Sequence, residues 1–171
     1  LQFTFQTQNE LTIPLSAPGS AGMEAAFVNL LEPGDKAIVC QNGVFGGRMK
    51  ENVERCGGTA VMVEDRWGDP VDLDKVAAAI NAHPDAKVLA FVHAETSTGV
   101  RSDAQQLCAL AKSAGMLTIV DAVTSLAGID LQVDGWLADV VYSGTQKCLS
   151  SLPGIAPITF SPDAVAAISA R

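Results

Sequence analysis

The chain has 171 residues, of which 48% are hydrophobic and 18% charged, and its net charge is -8 at pH 7. This length suffices for one well-packed core and is short for two. The acidic balance argues against a nucleic-acid or anionic-membrane surface, because neither attracts a negatively charged protein. No apolar run approaches the roughly 20 residues that span a bilayer. We therefore expect a soluble protein with no nucleic-acid or membrane partner.

The four cysteines, Cys40, Cys56, Cys108 and Cys148, are widely spaced. They form neither a paired metal-ligand spacing nor a compact disulfide framework, so no metal site is expected. Free thiols are typical of a reducing compartment, which favours a cytoplasmic location. The chain starts in mid-pattern at Leu1 and stops inside a helical pattern, which predicts a fragment of a longer protein.

Segments of helical period alternate with short β-branched apolar runs from residue 22 onward, as in a mostly parallel sheet flanked by helices. In chain order the pattern predicts a helix at 22–31, a strand at 36–40, a helix at 46–56, a strand at 59–63, a helix at 72–82, a strand at 88–93, a helix at 103–114, strands at 117–120, 140–143 and 155–160, and a helix at 162–170. Asp72 and Ser102 are expected N-caps. The prediction is one doubly wound α/β domain over 1–171.

Lys147 and Asp121 are the two residues that point most directly to chemistry. Lys147 follows the predicted strand 140–143 and ends the run 142–147, which contains three hydroxyls and a glycine, and Asp121 closes an apolar strand. A neutral lysine amine attacks an aldehyde, and a carboxylate at a strand end holds a pyridine nitrogen protonated. Together they predict a pyridoxal phosphate site. The alternatives are a solvent-exposed lysine and a structural salt bridge of the aspartate.

Three loops fall beside this pair, because ligands in such a sheet bind beyond the carboxyl ends of the strands. The run 18–22 precedes a helix and offers backbone amides to a phosphate, or is an ordinary small-residue turn. Phe45 projects from a glycine-rich loop and stacks on a flat ring, or fills the core. The run 93–99 gathers hydroxyls for a cofactor ring, or forms a self-contained turn in which His93 is semi-buried and satisfied.

Four segments together resemble class V aminotransferases, namely 143–147, 120–123, 95–99 and 22–26. The resemblance covers almost the whole chain, in order, and is closest to the serine-pyruvate or alanine-glyoxylate branch. It implies a pyridoxal phosphate enzyme of fold-type I, of which this chain is the incomplete cofactor-binding large domain, with the C-terminal small domain absent. It also implies a homodimer that acts on small amino acids and 2-oxo acids.

The residues that the resemblance assigns to the cofactor are Gly19, Ser20, Ala21, Phe45, Ser97, Asp121, Val123, Gln146 and Lys147. Lys147 is expected to bind the cofactor aldehyde and to move a proton at the substrate α-carbon. Asp121 is expected to bond the pyridine nitrogen, and Val123 and Phe45 to pack on the two ring faces. Ser97 is expected to orient the polar edge of the ring, and 19–21 with Gln146 to contact the phosphate.

Two departures from the family pattern bear on this interpretation. Pro18 removes one amide donor beside the expected phosphate loop, and no motif marks an arginine that grips a substrate carboxylate. The predicted reaction is transfer of an amino group from serine or alanine to glyoxylate or pyruvate. The alternatives are a pyridoxal phosphate lyase or cysteine desulfurase, and a truncated cofactor-binding domain without turnover. A nucleotide-binding domain is disfavoured, because no complete GxGxxG follows the first strand.

Overall fold

The computed structural model describes residues 1–171 and is built on one seven-stranded sheet. The strands are β1 (Leu11–Leu15), β2 (Lys36–Gln41), β3 (Thr59–Glu64), β4 (Val88–Val92), β5 (Leu117–Asp121), β6 (Val140–Tyr142) and β7 (Ala156–Phe160), in the spatial order β1-β7-β6-β5-β4-β2-β3. Strands β2 to β6 run parallel to one another, whereas β7 is antiparallel to both of its neighbours, β1 and β6. The mostly parallel sheet of the sequence prediction is confirmed.

Helices cover both faces of the sheet, and each face has its own apolar core. The helices are α1 (Gln2–Phe5), α2 (Gly19–Leu30), α3 (Val44–Arg55), α4 (Leu73–Ala82), α5 (Ala104–Ser113), α6 (Val133–Trp136) and α7 (Pro162–Ser169). One core lies under α1, α4, α5 and α6, and the other lies under α2, α3 and α7. Strands β4 and β7 are buried at every residue, as expected of strands covered on both sides.

All eleven predicted elements are present, and their ends differ from the prediction by at most three residues. The largest differences are at α2 and α3, which begin at Gly19 and Val44 rather than at 22 and 46. Glycines at these helix starts are typical of loops, which explains the late predicted starts. At Gly19 the glycine is used for close packing, because a Cβ there would lie 3.2 Å from the Val123 side chain. The sequence prediction missed α1, β1 and α6, which are short and outside the alternating pattern.

One predicted N-cap is correct and one is wrong. Asp72 caps α4 by accepting from the backbone amides of Asp74 and Lys75. The cap of α5 is Asp103 rather than Ser102, and its carboxylate accepts from Gln106 N. The Ser102 hydroxyl is buried and instead accepts from Val71 N at 3.2 Å, so it fastens the loop before α4. The Ser102 side chain, which local spacing favoured as the cap, therefore makes a tertiary hydrogen bond instead.

The chain has further features that bear on its class. All four cysteines are free thiols. No helix combines the length and the apolarity that crossing a bilayer requires. No group of three or more His, Cys, Asp or Glu side chains is arranged to hold a metal ion.

Candidate active site

Lys147 and Asp121 line one cavity at the carboxyl ends of β5 and β6, on the face of the sheet that carries α2 and α3. The cavity encloses about 190 Å³. Its lining residues are Pro18, Gly19, Ser20, Met23, Phe45, Arg48, Asp121, Val123, Gln146 and Lys147. Seven of the nine residues predicted to hold the cofactor are therefore brought together, and Ala21 and Ser97 do not line the cavity.

Asp121 is the last residue of β5 and is 3% exposed. Its carboxylate accepts from Val123 N at 2.9 Å and from the Tyr142 hydroxyl at 2.8 Å. Burial raises the pKa of Asp121 to about 6, although these two hydrogen bonds and the nearby charge of Lys147 act in the opposite direction. A carboxylate that is expensive to bury and open to a cavity is well placed to pair with a cationic group of a ligand.

Lys147 lies on a tight turn after β6. The turn is fixed by the backbone, because Lys147 N donates to Gly144 O at 3.4 Å and Ser150 N donates to Lys147 O at 2.9 Å. The Thr145 hydroxyl closes the loop by donating to Leu152 O at 2.6 Å. The lysine is half-buried, and its amine makes no ion pair or hydrogen bond within the chain. The amine is therefore free to meet a ligand in the cavity.

The amino end of α2 supplies the third side of the cavity. Pro18 is the N-cap, and the amides of Gly19 and Ser20 have no backbone partner, whereas Ala21 N donates to Pro18 O at 2.8 Å. Two amides of the predicted phosphate loop are thus free, and that of Ala21 is already paired. Unpaired amides at a helix start attract anions. The phosphate assignments of Gly19 and Ser20 fit this geometry better than that of Ala21.

Phe45 is held at the start of α3 by a buried carboxylate from the loop after β4. Glu95 is 1% exposed; it accepts from Phe45 N at 3.2 Å and from the Ser97 hydroxyl at 2.7 Å. That hydroxyl in turn accepts from Val44 N at 3.0 Å. Glu95 and Ser97 thus cap α3, whose own N-cap Gly43 has no side chain. A Cβ on Gly43 would overlap Glu95, so the glycine makes room for this cap.

The prediction that Ser97 orients the polar edge of a cofactor ring stays a prediction. The Ser97 hydroxyl bonds Glu95 and the amide of Val44, and Ser97 does not line the cavity. Its observed contacts position the ring of Phe45 indirectly. Glu95 itself was missed as a site residue. No sequence signal marks it beyond its place in the run 95–99, because its partners lie 50 residues earlier in the chain.

Arg48 is a further residue that sequence reasoning did not assign to the site. Its guanidinium lies 4.8 Å from the centre of the Phe45 ring, one turn along α3, and it lines the same cavity as Lys147. It forms no salt bridge in the chain. The sequence prediction placed Phe45 in the loop before the helix at 46–56, so the one-turn spacing of Phe45 and Arg48 became visible only in the structure, where α3 begins at Val44.

A second cavity of about 450 Å³ lies at the end of β4, on the opposite face of the sheet. His93 lines it, is 3% exposed and packs edge-on against Trp136, and its Nδ1 has no hydrogen-bond partner. Of the two interpretations of the run 93–99, the one with a fully satisfied histidine does not hold at this nitrogen. Burial, followed by the charge of Arg101, lowers the pKa of His93 to about 4. This cavity is larger than the first but contains neither Lys147 nor Asp121.

Comparison with known proteins covers nearly all of the chain. A family model described as Aminotransferase class-V matches residues 4–169. The small subunit of a soluble hydrogenase from a Synechococcus strain is 40% identical over 96% of this chain and 43% of its own length. The (S)-ureidoglycine--glyoxylate transaminase of Bacillus subtilis is 36% identical over 100% of this chain and 41% of its own length.

The structural comparison agrees with the sequence comparison. The crystal structure of alanine--glyoxylate aminotransferase from Nostoc superposes with a TM-score of 0.97, at 38% identity, over 100% of this chain and 45% of that chain. The chain thus spans less than half the length of the relatives it matches.

Proposed function

The chain belongs to the class V aminotransferase family, and on that premise we propose that it holds pyridoxal phosphate and moves an amino group from serine or alanine to glyoxylate or pyruvate. The observation that carries the proposal is the shared cavity of Lys147 and Asp121. A lysine without a carboxylate partner and a buried carboxylate are the two groups that an aldehyde-bearing pyridine requires.

The residues present fit such a group on each of its sides. Asp121 offers a buried acceptor to a pyridinium N–H, and the free amides of Gly19 and Ser20 offer donors to a phosphate. Val123 and Phe45 supply apolar contact to a flat ring. The donor set therefore matches a phosphorylated pyridine better than it matches a metal ion or a dinucleotide.

Each residue has a separate task in the proposed reaction. When bound, pyridoxal phosphate supplies an electron sink for the pair of electrons released at the substrate α-carbon. The Lys147 amine would hold the aldehyde carbon until the substrate amine takes its place, and the freed amine would then take up and return the proton of the substrate α-carbon. The Asp121 carboxylate keeps a proton on the pyridine nitrogen. Arg48 adds a second cation to the cavity and attracts anionic substrate groups toward it.

The names of the relatives support the choice of substrates. Ureidoglycine-glyoxylate and alanine-glyoxylate transfer are the activities named for two of them. Glyoxylate is therefore the first acceptor to test and alanine the first donor. We also propose a cytoplasmic location, which the four free thiols support.

A homodimer, in which the 171 residues act as the cofactor-binding large domain of each subunit, is part of the same proposal. Apolar side chains near the carboxyl edge of the sheet are exposed, among them Leu152 at 83% and Ile155 at 44%. Exposed apolar groups beside a polar cavity are typical of a surface that another protein chain covers. A partner chain on this surface would lie close to the site, because both residues are next to the Lys147 loop.

The test is the visible absorbance of added pyridoxal phosphate together with amino transfer from alanine or serine to glyoxylate or pyruvate. Lys147→Ala is expected to abolish the protein-dependent absorbance change and to lower transfer at least roughly a hundredfold, because no other lysine lines the cavity. Lys50→Ala is the matched control, since Lys50 forms a surface ion pair with Glu54 on α3 and should leave both signals unchanged.

Three outcomes separate the proposal from its alternatives. Retained absorbance and turnover in Lys147→Ala would refute the assignment of the lysine. Release of sulfur from cysteine, with no amino transfer, would identify a desulfurase or lyase. Lys147-dependent cofactor absorbance without turnover of any of these substrates would identify a cofactor-binding domain.

A further inference from the structure

Tyr142 is the direct neighbour of Asp121 in the sheet. The two residues are 21 positions apart in the chain, and parallel pairing of β5 with β6 sets them in register at the carboxyl ends of their strands. Both side chains point to the face that carries α2 and α3, where the cavity lies. The Tyr142 hydroxyl donates to Asp121 Oδ2 at 2.8 Å, and Val123 N donates to the other oxygen, Oδ1.

The environment of Tyr142 makes its hydroxyl a fixed donor. The side chain is 0% exposed, and its only hydrogen-bond partner is Asp121. Burial and then the Asp121 carboxylate raise the pKa of Tyr142 well above 10, so the phenol stays protonated across the pH range in which proteins work. A protonated phenol that gives its hydrogen to a carboxylate favours the ionised form of that carboxylate.

We infer that Tyr142 is a positioning residue, which keeps the Asp121 carboxylate ionised and oriented so that it can accept a pyridinium N–H. The inference rests on the proposed function. One donor on each carboxylate oxygen fixes the plane of the group and leaves acceptor capacity on both oxygens for a ligand. Tyr142 does not line the cavity, so its effect on a ligand passes through Asp121.

Other charges around Asp121 do not replace this donor. Glu95 faces Asp121 from the loop after β4, and its negative charge disfavours ionisation of Asp121, whereas Lys147 favours it from the loop after β6. Arg48 faces the same cavity from α3. If Lys147 binds an aldehyde, its amine is engaged there, and the Tyr142 hydroxyl is the side-chain donor that stays on Asp121.

The experiment is a titration of pyridoxal phosphate into the protein that carries this sequence, between pH 5 and pH 9, comparing the unmodified protein with Tyr142→Phe. The phenylalanine keeps the buried ring and removes only the hydroxyl. We expect the dissociation constant of the variant to exceed that of the parent by roughly tenfold at pH 5 and by less than about twofold at pH 9, because the carboxylate is ionised in both at high pH.

A second variant strengthens the hydrogen bond instead of removing it, and so tests the inference even if Tyr142→Phe fails to fold. Tyr142 is the one tyrosine of the chain, so growth on 3-fluorotyrosine modifies this position alone within the 171 residues. The more acidic phenol is a stronger donor and should move the acid limb of cofactor affinity to lower pH. Ser125→Ala removes a buried hydroxyl that has no hydrogen-bond partner and should move nothing.

The outcomes distinguish this inference from the proposed function. If the parent protein shows Lys147-dependent cofactor absorbance and Tyr142→Phe weakens binding equally at every pH, Tyr142 only supports the fold and the inference is wrong. An unchanged pH profile in both the phenylalanine and the fluorotyrosine protein would overturn it as well. If the parent itself shows no Lys147-dependent absorbance, it is the proposed function that fails.

Discussion

Two buried aspartates, Asp121 and Asp139, lie at opposite ends of neighbouring strands and show how differently the same group can be used. Asp139 precedes β6 at the amino edge of the sheet and is 1% exposed. Asp121 ends β5 at the carboxyl edge and is 3% exposed. Both carboxylates left water during folding, which is costly unless donors compensate.

At the amino edge of the sheet, donors from the chain itself satisfy the Asp139 carboxylate. The Asp139 carboxylate accepts from the Ser161 hydroxyl at 2.7 Å and from Thr118 N at 3.0 Å, and Lys112 lies 3.7 Å away. Ser161 is also the N-cap of α7, so this one carboxylate ties β5, β6 and α7 together. Such a group stabilises the fold because every polar partner belongs to the chain.

At the carboxyl edge the donors are fewer and the carboxylate borders a cavity. Asp121 has one backbone donor and one phenol, and its pKa is raised to about 6 because burial outweighs them. Burial alone therefore does not identify a candidate functional carboxylate. What distinguishes Asp121 is incomplete compensation next to a free lysine amine.

Removal of the structural carboxylate should have the largest effect on stability. Asp139→Ala is expected to lower the free energy of unfolding by about 3 kcal/mol, because Thr118 N and the Ser161 hydroxyl lose a buried acceptor. Urea denaturation measures the change. Asp163→Ala is the control: it breaks the exposed ion pair with Lys112 and removes an acidic residue from the first turn of α7, and should cost less than about 1 kcal/mol. Equal losses in the two variants would contradict this view of Asp139.

Glu95 is a third buried carboxylate and should lie between the other two in its effect. Glu95→Gln replaces one acceptor oxygen by an amide group that faces donors from Phe45 and Ser97, and should cost about 2 kcal/mol. It should also weaken binding of pyridoxal phosphate, because α3 carries Phe45. Urea denaturation and a cofactor titration measure the two effects. Glu64→Gln, at the exposed end of edge strand β3, should change neither.

The smallest effect is the pH dependence that Asp121 gives to the cofactor-free protein. Its folded pKa of about 6 exceeds the ordinary value of 3.8, so between these values the folded state binds the proton more tightly than the unfolded state. The contribution of Asp121 to stability should therefore rise as the pH falls, by about 1 kcal/mol between pH 7 and pH 5. Asp121→Asn should lack this contribution. A difference of zero or of opposite sign between the two pH profiles would show that Asp121 is not disfavoured when ionised.

The fold was largely predictable because alternation of period is a local property. Eleven helices and strands followed from apolar spacing, since the central strands are covered on both faces and the helices bury one side. The errors were also local in origin. Ser102 has the chemistry of an N-cap but was drawn into a tertiary hydrogen bond with Val71 N, and β1 carries a proline in an edge strand that obscures its pattern.

The reactive groups of the candidate site could be predicted from the sequence, whereas the residues that surround and position them could not. Asp121 could be found because a carboxylate ends an apolar strand, and Lys147 because it follows a strand in a loop of hydroxyls and a glycine. Arg48 and Glu95 could not be assigned, because their relevance depends on α3 lying against the loop after β4. The free amides of Gly19 and Ser20 were expected, whereas the pairing of Ala21 N depends on how α2 begins.

The sequence by itself determined the alternating α/β pattern and placed an amine and a carboxylate after strands, because strand ends and helix starts are encoded within a few residues. Only the tertiary structure decided which donors surround that carboxylate. Tyr142 reaches Asp121 through the register of two parallel strands, and Glu95 reaches the start of α3 across the sheet edge. Such contacts join residues that are 21 and 50 positions apart, so the packed sheet brings them together and local sequence pattern does not.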